Sequence, residues 1–212
     1  MAAIAFSFAN NAPYLARGPS TYRVPKSMYK ASRQSLVASL RTETHGTSME
    51  GLVLLKGGLS GNRNDTDHEL LFRQESYFAF LFGVDEPDFW GAIDVVTGET
   101  ILFMPRLPEE YAVWMGEIQK PPFFVEKYEV DTVMYVDELE AYLEGRLKAE
   151  PGIQFHVMEG VNSDSGADIK DCLPAAPAVP KGGTLNNKTL FGALAQCRVV
   201  KSDQELDLMR YC

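Results

Sequence analysis

Cysteine and histidine are scarce in this sequence, with three of each in 212 residues. Cys172, Cys197 and Cys212 are an odd number without metal-ligand spacing. They predict thiols in a reducing compartment, not a disulfide framework or a zinc site. His45, His68 and His156 stand far apart, and none forms the i, i+4 pair that would hold a metal on one helix face. Basic charge is also short. Lys and Arg number 20 against 29 Asp and Glu, a net charge of −9, which argues against nucleic acid as a partner because phosphate neutralisation needs clustered cations. No apolar run approaches the ~20 residues that span a bilayer, so no membrane association is expected. The opening MAAIAFSF has no basic n-region and too short an apolar stretch for a secretory signal. A cytoplasmic location is the resulting expectation. No G-x-S-x-G elbow and no Gly-rich phosphate loop after a strand is present; Gly57-Gly58 and Gly182-Gly183 read as turns.

What remains is a globular chain, 45% hydrophobic and 11% aromatic, long enough for one domain with a real core. Residues 72–118 hold both tryptophans and form its centre. Residues 76–84 carry aromatic and aliphatic side chains at every position from Tyr77 to Phe82, a pattern that predicts a central strand covered on both faces. Residues 91–96 and 100–104 flank Thr97-Gly98-Glu99 and predict a hairpin. Pro105 ends the last strand and Pro108 opens an amphipathic helix. Upstream, residues 1–26 read as an arm tied down in part. Residues 28–44 predict a surface helix with Met28, Leu36, Val37 and Leu40 inward and Arg33 and Arg41 outward. Residues 51–56 predict a buried strand, and residues 59–68 a polar loop. Downstream come a loop at 119–128 and a strand at 132–136. A helix at 138–148 follows, opened by Asp137 and Glu140 at capping-box spacing. A strand at 154–158, an irregular stretch at 159–183 and a segment at 184–196 that becomes helical complete the series. Ser202 and Glu205 cap a last helix. It has scarcely begun when Cys212 is reached, as expected of a chain cut from a longer protein. Strands alternating with helices, plus one antiparallel pair, predict an α/β three-layer domain with a mixed β-sheet flanked by helices.

The chemistry visible in the residues alone is thin. The loop that gathers Asp65, Asp67, His68 and Glu69 reads either as a solvated acidic turn or as a cation or amine contact. Trp114 shares a helical stripe with Tyr111, Met115 and Ile118, which suits core packing or an exposed ligand contact. Arg73, beside Gln74 and Glu75, suits a structural or interface ion pair better than catalysis.

One pattern is more specific. NRNDTDHELLFRQESYFAFLFGVDEP, residues 62–87, resembles the N-terminal domain of proline-specific metallopeptidases of the aminopeptidase P and prolidase type (creatinase-like), in which F-R-Q-x-S-x-F and G-x-x-E-P follow in this order. The following GAIDVVTGETILFMPRLPEEYAVWMGEI, together with YRVPKSMYKASRQSLVASL and EGVNSDSG, is most similar to the eukaryotic prolidase (Xaa-Pro dipeptidase) branch. CRVVKSDQELDLMR resembles the segment that leads into the catalytic domain. The resemblance divides the chain into an arm at 1–26, an aminopeptidase P-like N-terminal domain at 27–196 and the start of a linker helix at 197–212.

The resemblance implies a manganese-dependent homodimer that hydrolyses dipeptides with C-terminal proline. Two Mn²⁺ per subunit would be held by two Asp, one His and two Glu of a C-terminal pita-bread domain absent from this sequence. No catalytic residue and no metal ligand is therefore assigned here, and the 212 residues alone are expected to be inactive. In a two-metal site of this kind the ions activate a water and stabilise the tetrahedral oxyanion. Two positions match residues that meet the substrate of a neighbouring subunit in the family. Asp67 corresponds to an acidic residue near the substrate's amino end, and Trp114 to an aromatic that reaches the partner's active site. An aminopeptidase P acting on longer peptides and a non-catalytic pita-bread binding module are the alternatives the resemblance leaves open.

Overall fold

A computed structural model describes residues 13–42, 50–168 and 175–212 of the chain. Its spine is a six-stranded sheet in the order β6-β5-β4-β3-β7-β8, built from β3 (Leu52–Lys56), β4 (Trp90–Asp94), β5 (Thr100–Met104), β6 (Thr132–Tyr135), β7 (Gln154–His156) and β8 (Thr184–Asn186). β4 runs antiparallel to both β3 and β5, while the β5–β6, β3–β7 and β7–β8 pairs are parallel. Five of the six strands thus point the same way, and the loops after them leave one edge of the sheet.

The alternation along the strands divides the core. Val53 and Leu55 of β3 face α1 (Lys26–Thr42), α2 (Ser76–Phe82), α4 (Pro121–Tyr128) and α6 (Leu190–Val199). Leu52 and Leu54 face α5 (Leu139–Ala149) with Phe103 and Phe155. Successive side chains of a strand point to opposite faces, so a strand apolar at every position is covered on both. This is the three-layer α/β arrangement with a mixed sheet that the sequence predicts. Two short strands, β1 (Tyr14–Leu15) and β2 (Val24–Pro25), pair antiparallel and tie residues 14–25 to the domain. A four-residue helix α3 (Ala112–Met115) and a helix α7 (Asp203–Tyr211) complete the α-helices of the described residues.

Four expectations are corrected. The predicted central strand at 76–84 is the helix α2. Glu75 opens it by accepting from the amides of Tyr77 and Phe78, each at 2.8 Å. Gly83, at φ 64, closes it in the left-handed conformation with the Tyr29 ring where a Cβ would lie. The helix buries Phe78, Leu81 and Phe82 together, a 3.6-residue stripe that β geometry could not form. Residues 121–128, read as a loop because of Pro121-Pro122, are the helix α4. Proline is tolerated in the first turn, where its missing N–H is not needed. Arg33 points inward, not outward: it is 4% exposed and donates to the carbonyls of Leu81 at 3.0 Å and Glu129 at 2.8 Å. Burial pulls its pKa down to about 10 against the upward pull of Asp131 and Glu129. A 3-10 turn, Val136–Glu138, leads into α5 and is fastened by Glu138, whose carboxylate accepts the Tyr135 amide at 2.7 Å; no side chain caps α5 itself, so the expected capping by Asp137 with Glu140 does not form. The Ser202–Glu205 capping box forms as predicted. Among the described residues Cys197 and Cys212 form no disulfide, and Cys172 lies outside them. No described helix is long and apolar enough to cross a membrane.

His156 in β7 is fully buried. Its Nε2 lies 3.0 Å from the Glu50 carbonyl, which only accepts, so the proton sits on Nε2. Nδ1 has no hydrogen-bond partner among the described residues. Burial therefore holds the pKa of the ring below the ordinary 6.5, against a smaller upward pull from the Glu50 carbonyl. The unfolded chain protonates this ring first, so stability is complete above pH 6.5 and declines as pH falls below that value. Urea midpoints measured down the pH scale are expected to show this decline in the parent and to lose it in His156→Leu.

Candidate functional site

The two residues singled out by the sequence leave the same edge of the sheet. β3 ends at Lys56 and β5 at Met104, and both pair with β4 in a register that sets Lys56 and Phe103 opposite Trp90. The loop carrying Asp67 follows β3, and the segment carrying Trp114 follows β5. Two cation–π pairs mark this edge: Lys56 over Trp90 at 5.2 Å and Arg106 over Tyr135 at 3.6 Å.

The loop carrying Asp67 is ordered by its own backbone. The Arg63 amide donates to His68 O at 2.8 Å and the Leu70 amide to Gly61 O at 2.9 Å. Asn62 and Glu69 form a bridge. At the tip, Thr66 Oγ donates to Arg63 O at 2.7 Å and accepts the His68 amide at 3.2 Å. Asp65, Asp67 and His68 are all exposed. A short ribbon fixed at both rungs holds a carboxylate outward, where it can meet a cation without displacing a structural bond.

Trp114 resolves between the two readings given for it. It is 85% exposed, next to Val113 at 80%, so it is not a core residue. A 3-10 turn at Glu109–Tyr111 runs directly into α3, and Gly116 (φ 74) stops the helix after a single turn, its amide donating to Ala112 O at 3.1 Å. The result is a short stub with an indole on it. Exposed aromatics of this size on a one-turn stub supply a ring face for an apolar contact. No hydrogen bond, ion pair or ring contact within the described residues joins Asp67 to Trp114; the fold brings them to one edge, not into one cluster. Among the described residues no group of three or more His, Cys, Asp or Glu could hold a metal. The described residues therefore do not fit a metal site.

The motif residues around the site are structural. Gln74 Oε1 accepts the Gly58 amide at 2.6 Å and the Glu75 amide at 2.9 Å, while its Nε2 donates to Glu86 O at 3.0 Å. Glu86 in turn accepts from Lys127 and from the Tyr128 hydroxyl. Burial and the adjacent Glu86 carboxylate push the Tyr128 phenol well above its ordinary range, so the hydroxyl stays a donor. F-R-Q and E-P thus meet across the sheet edge as a clamp. Arg73 departs from this pattern: it is exposed, forms no ion pair within the described residues, and lines a groove of about 720 Å³ with Leu71, Phe72, Tyr22 and Tyr211. The sequence reading missed the loop's backbone rungs, because hydrogen bonds between loop amides leave no side-chain signal.

A family profile described as the aminopeptidase P N-terminal domain matches residues 29–154. The chain belongs to that family. It is 40% identical to proteins named Xaa-Pro dipeptidase from Homo sapiens and Pongo abelii, in each case over 194 residues, 92% of this chain and 38% of the relative. A probable Xaa-Pro aminopeptidase of Ajellomyces capsulatus is 31% identical over 76% of the chain and 30% of its own length. Among solved structures, aminopeptidase PepP of Pseudomonas aeruginosa superposes with a TM-score of 0.65 at 24% identity, over 89% of this chain and 41% of that one. The likeness is one of fold. The chain spans about two-fifths of the length of these dipeptidases and 30% of that of the aminopeptidase.

Proposed function

We propose that this chain is the substrate-access and oligomerisation domain of a manganese-dependent Xaa-Pro dipeptidase, a cytoplasmic homodimer that hydrolyses dipeptides ending in proline. The observation that carries the reading is the 40% identity to Xaa-Pro dipeptidases over 92% of the chain; the identity to an Xaa-Pro aminopeptidase is lower and covers less. In this reading the manganese ions and every catalytic group belong to the remainder of the peptidase, and this domain shapes the mouth of a neighbouring subunit's site. Asp67 attracts the substrate's α-ammonium, and Trp114 lies against the proline ring or an apolar side chain. A rigid carboxylate and a bulky indole at the mouth also disfavour longer substrates, which need room beyond the second residue.

The test uses the peptidase that carries this domain, with Gly-Pro and Gly-Pro-Ala as substrates. Efficient cleavage of Gly-Pro alone is expected; efficient cleavage of the tripeptide would move the assignment to an aminopeptidase. Trp114→Ala is expected to raise KM for Gly-Pro by about two- to tenfold, the equivalent of one aromatic contact. Asp67→Asn is expected to raise it by up to about fivefold, as suits an exposed ion pair. Unchanged KM in both variants would remove this domain from substrate access.

A further inference from the structure

Asp88 is one of three described non-glycine residues with positive φ, at 65°. Such a backbone is uncommon outside glycine, asparagine and aspartate. Here the turn points the carboxylate back across the sheet edge at the loop that carries Asp67. Asp88 Oδ2 accepts from Ser60 Oγ at 2.6 Å, Oδ1 accepts the Ser60 amide at 3.3 Å, and the Asp88 amide donates to Gly58 O at 2.8 Å. On the other side of the same dipeptide, the Gly58 amide is held by Gln74. The loop from 58 to 74 is therefore closed at its neck by Gln74 and hung from Asp88 through Gly58 and Ser60, in the manner of an Ω-loop whose ends meet. Gly57 and Gly58 fit because a Cβ on either would meet Phe89 O at 2.9 Å or the Phe72 ring at 3.1 Å.

We infer that Asp88 is a positioning residue: it latches the loop through Ser60, so that the ribbon carrying Asp67 stands in one orientation before substrate arrives. Holding a recognition group in place beforehand removes the ordering cost that binding would otherwise carry. The inference rests on the substrate-access reading of Asp67 given above, but the latch itself can be measured without it.

Asp88→Gly tests it with little risk to folding, because glycine adopts this φ freely. Hydrogen exchange on the 212-residue chain is expected to run about tenfold faster at the Arg63 and Leu70 amides in D88G, the equivalent of one net hydrogen bond to a charged acceptor. Exchange in β3 and β4 stays as in the parent. Asp88→Asn keeps both the left-handed backbone and an oxygen for Ser60, so it is expected to restore exchange to within about twofold of the parent. Unchanged loop exchange in D88G overturns the inference. In the peptidase that carries this domain, D88G and Asp67→Asn are each expected to raise KM for Gly-Pro with kcat held. If Asp67→Asn raises KM and D88G does not, the loop needs no latch to work and the positioning role falls. If D88G speeds exchange and neither variant moves KM, the latch stands and the access reading of Asp67 falls.

Discussion

Phe78→Ala is expected to destabilise the domain by about 3–5 kcal/mol, the range for removing a fully buried phenylalanine, whereas Phe80→Ala costs about 1 kcal/mol because that ring stays partly in water. Phe78 has no exposed surface and packs on Phe82 with ring centroids 4.7 Å apart, inside the cluster that joins α1, α2 and the sheet. Phe80 only flanks this cluster. The contrast is diagnostic of the helix. In a strand Phe78, Phe80 and Phe82 would share a face and Leu81 would lie on the other; in α2 it is Phe78, Leu81 and Phe82 that are buried. Urea titrations followed by far-UV circular dichroism at neutral pH give both numbers. Equal losses for Phe78→Ala and Phe80→Ala would contradict the helix and the packing built on it.

The same segment shows why some of the fold could be read from the sequence and some could not. β3, the β4–β5 hairpin, β6 and α5 each carry their own local signal: a short apolar run closed by glycines, a Thr-Gly-Glu turn, or a polar stretch at helical period. SYFAFLF carries the opposite signal, since aromatic residues favour strands. Its seven residues are helical because Glu75 and Gly83 fasten the two ends and the sheet receives one stripe. Glu75 adjoins the apolar run and Gly83 falls inside residues 76–84, but a Glu before and a Gly after an aromatic run can end a strand as well as cap a helix. Arg33 is a case of charge overruling spacing. It falls on the stripe of Met28, Leu36, Val37 and Leu40, and it is buried with them, its guanidinium satisfied by two carbonyls that only the tertiary fold supplies. The candidate site was legible as residue types, Asp67 and Trp114, through the family motifs around them. Their shared edge was not, because it depends on β3 and β5 running parallel through an antiparallel β4. The exposure of Trp114 was not either, because a four-residue helix has the same period whether its face is covered or bare.

Asp94→Ala is expected to cost about 3–5 kcal/mol, as when one partner of a buried pair is removed and the other is left behind. Asp94 closes β4 and organises the hairpin: Oδ1 accepts the amides of Val96 and Thr97, each at 2.8 Å, and Oδ2 accepts Arg146 Nη2 of α5 at 2.7 Å. The carboxylate is 7% exposed and the guanidinium 23%, so one side chain fixes a turn and bolts a helix to the sheet. Asp94→Asn keeps an oxygen for the two amides but loses the negative charge that faces Arg146, and is expected to cost about 1–3 kcal/mol. Burial alone would raise the pKa of this carboxyl; the Thr97 amide, the Arg146 guanidinium and the Val96 amide outweigh it and hold the pKa below the usual 3.8. In the unfolded chain the group protonates first as pH falls, so its contribution is complete above that range and fades as pH drops through it. The gap in urea midpoint between parent and Asp94→Asn, wide at neutral pH, is therefore expected to close as the titration is repeated toward about pH 3. A gap that stays constant with pH would mean that the charge on Asp94 contributes nothing, and that the two backbone amides alone hold the turn.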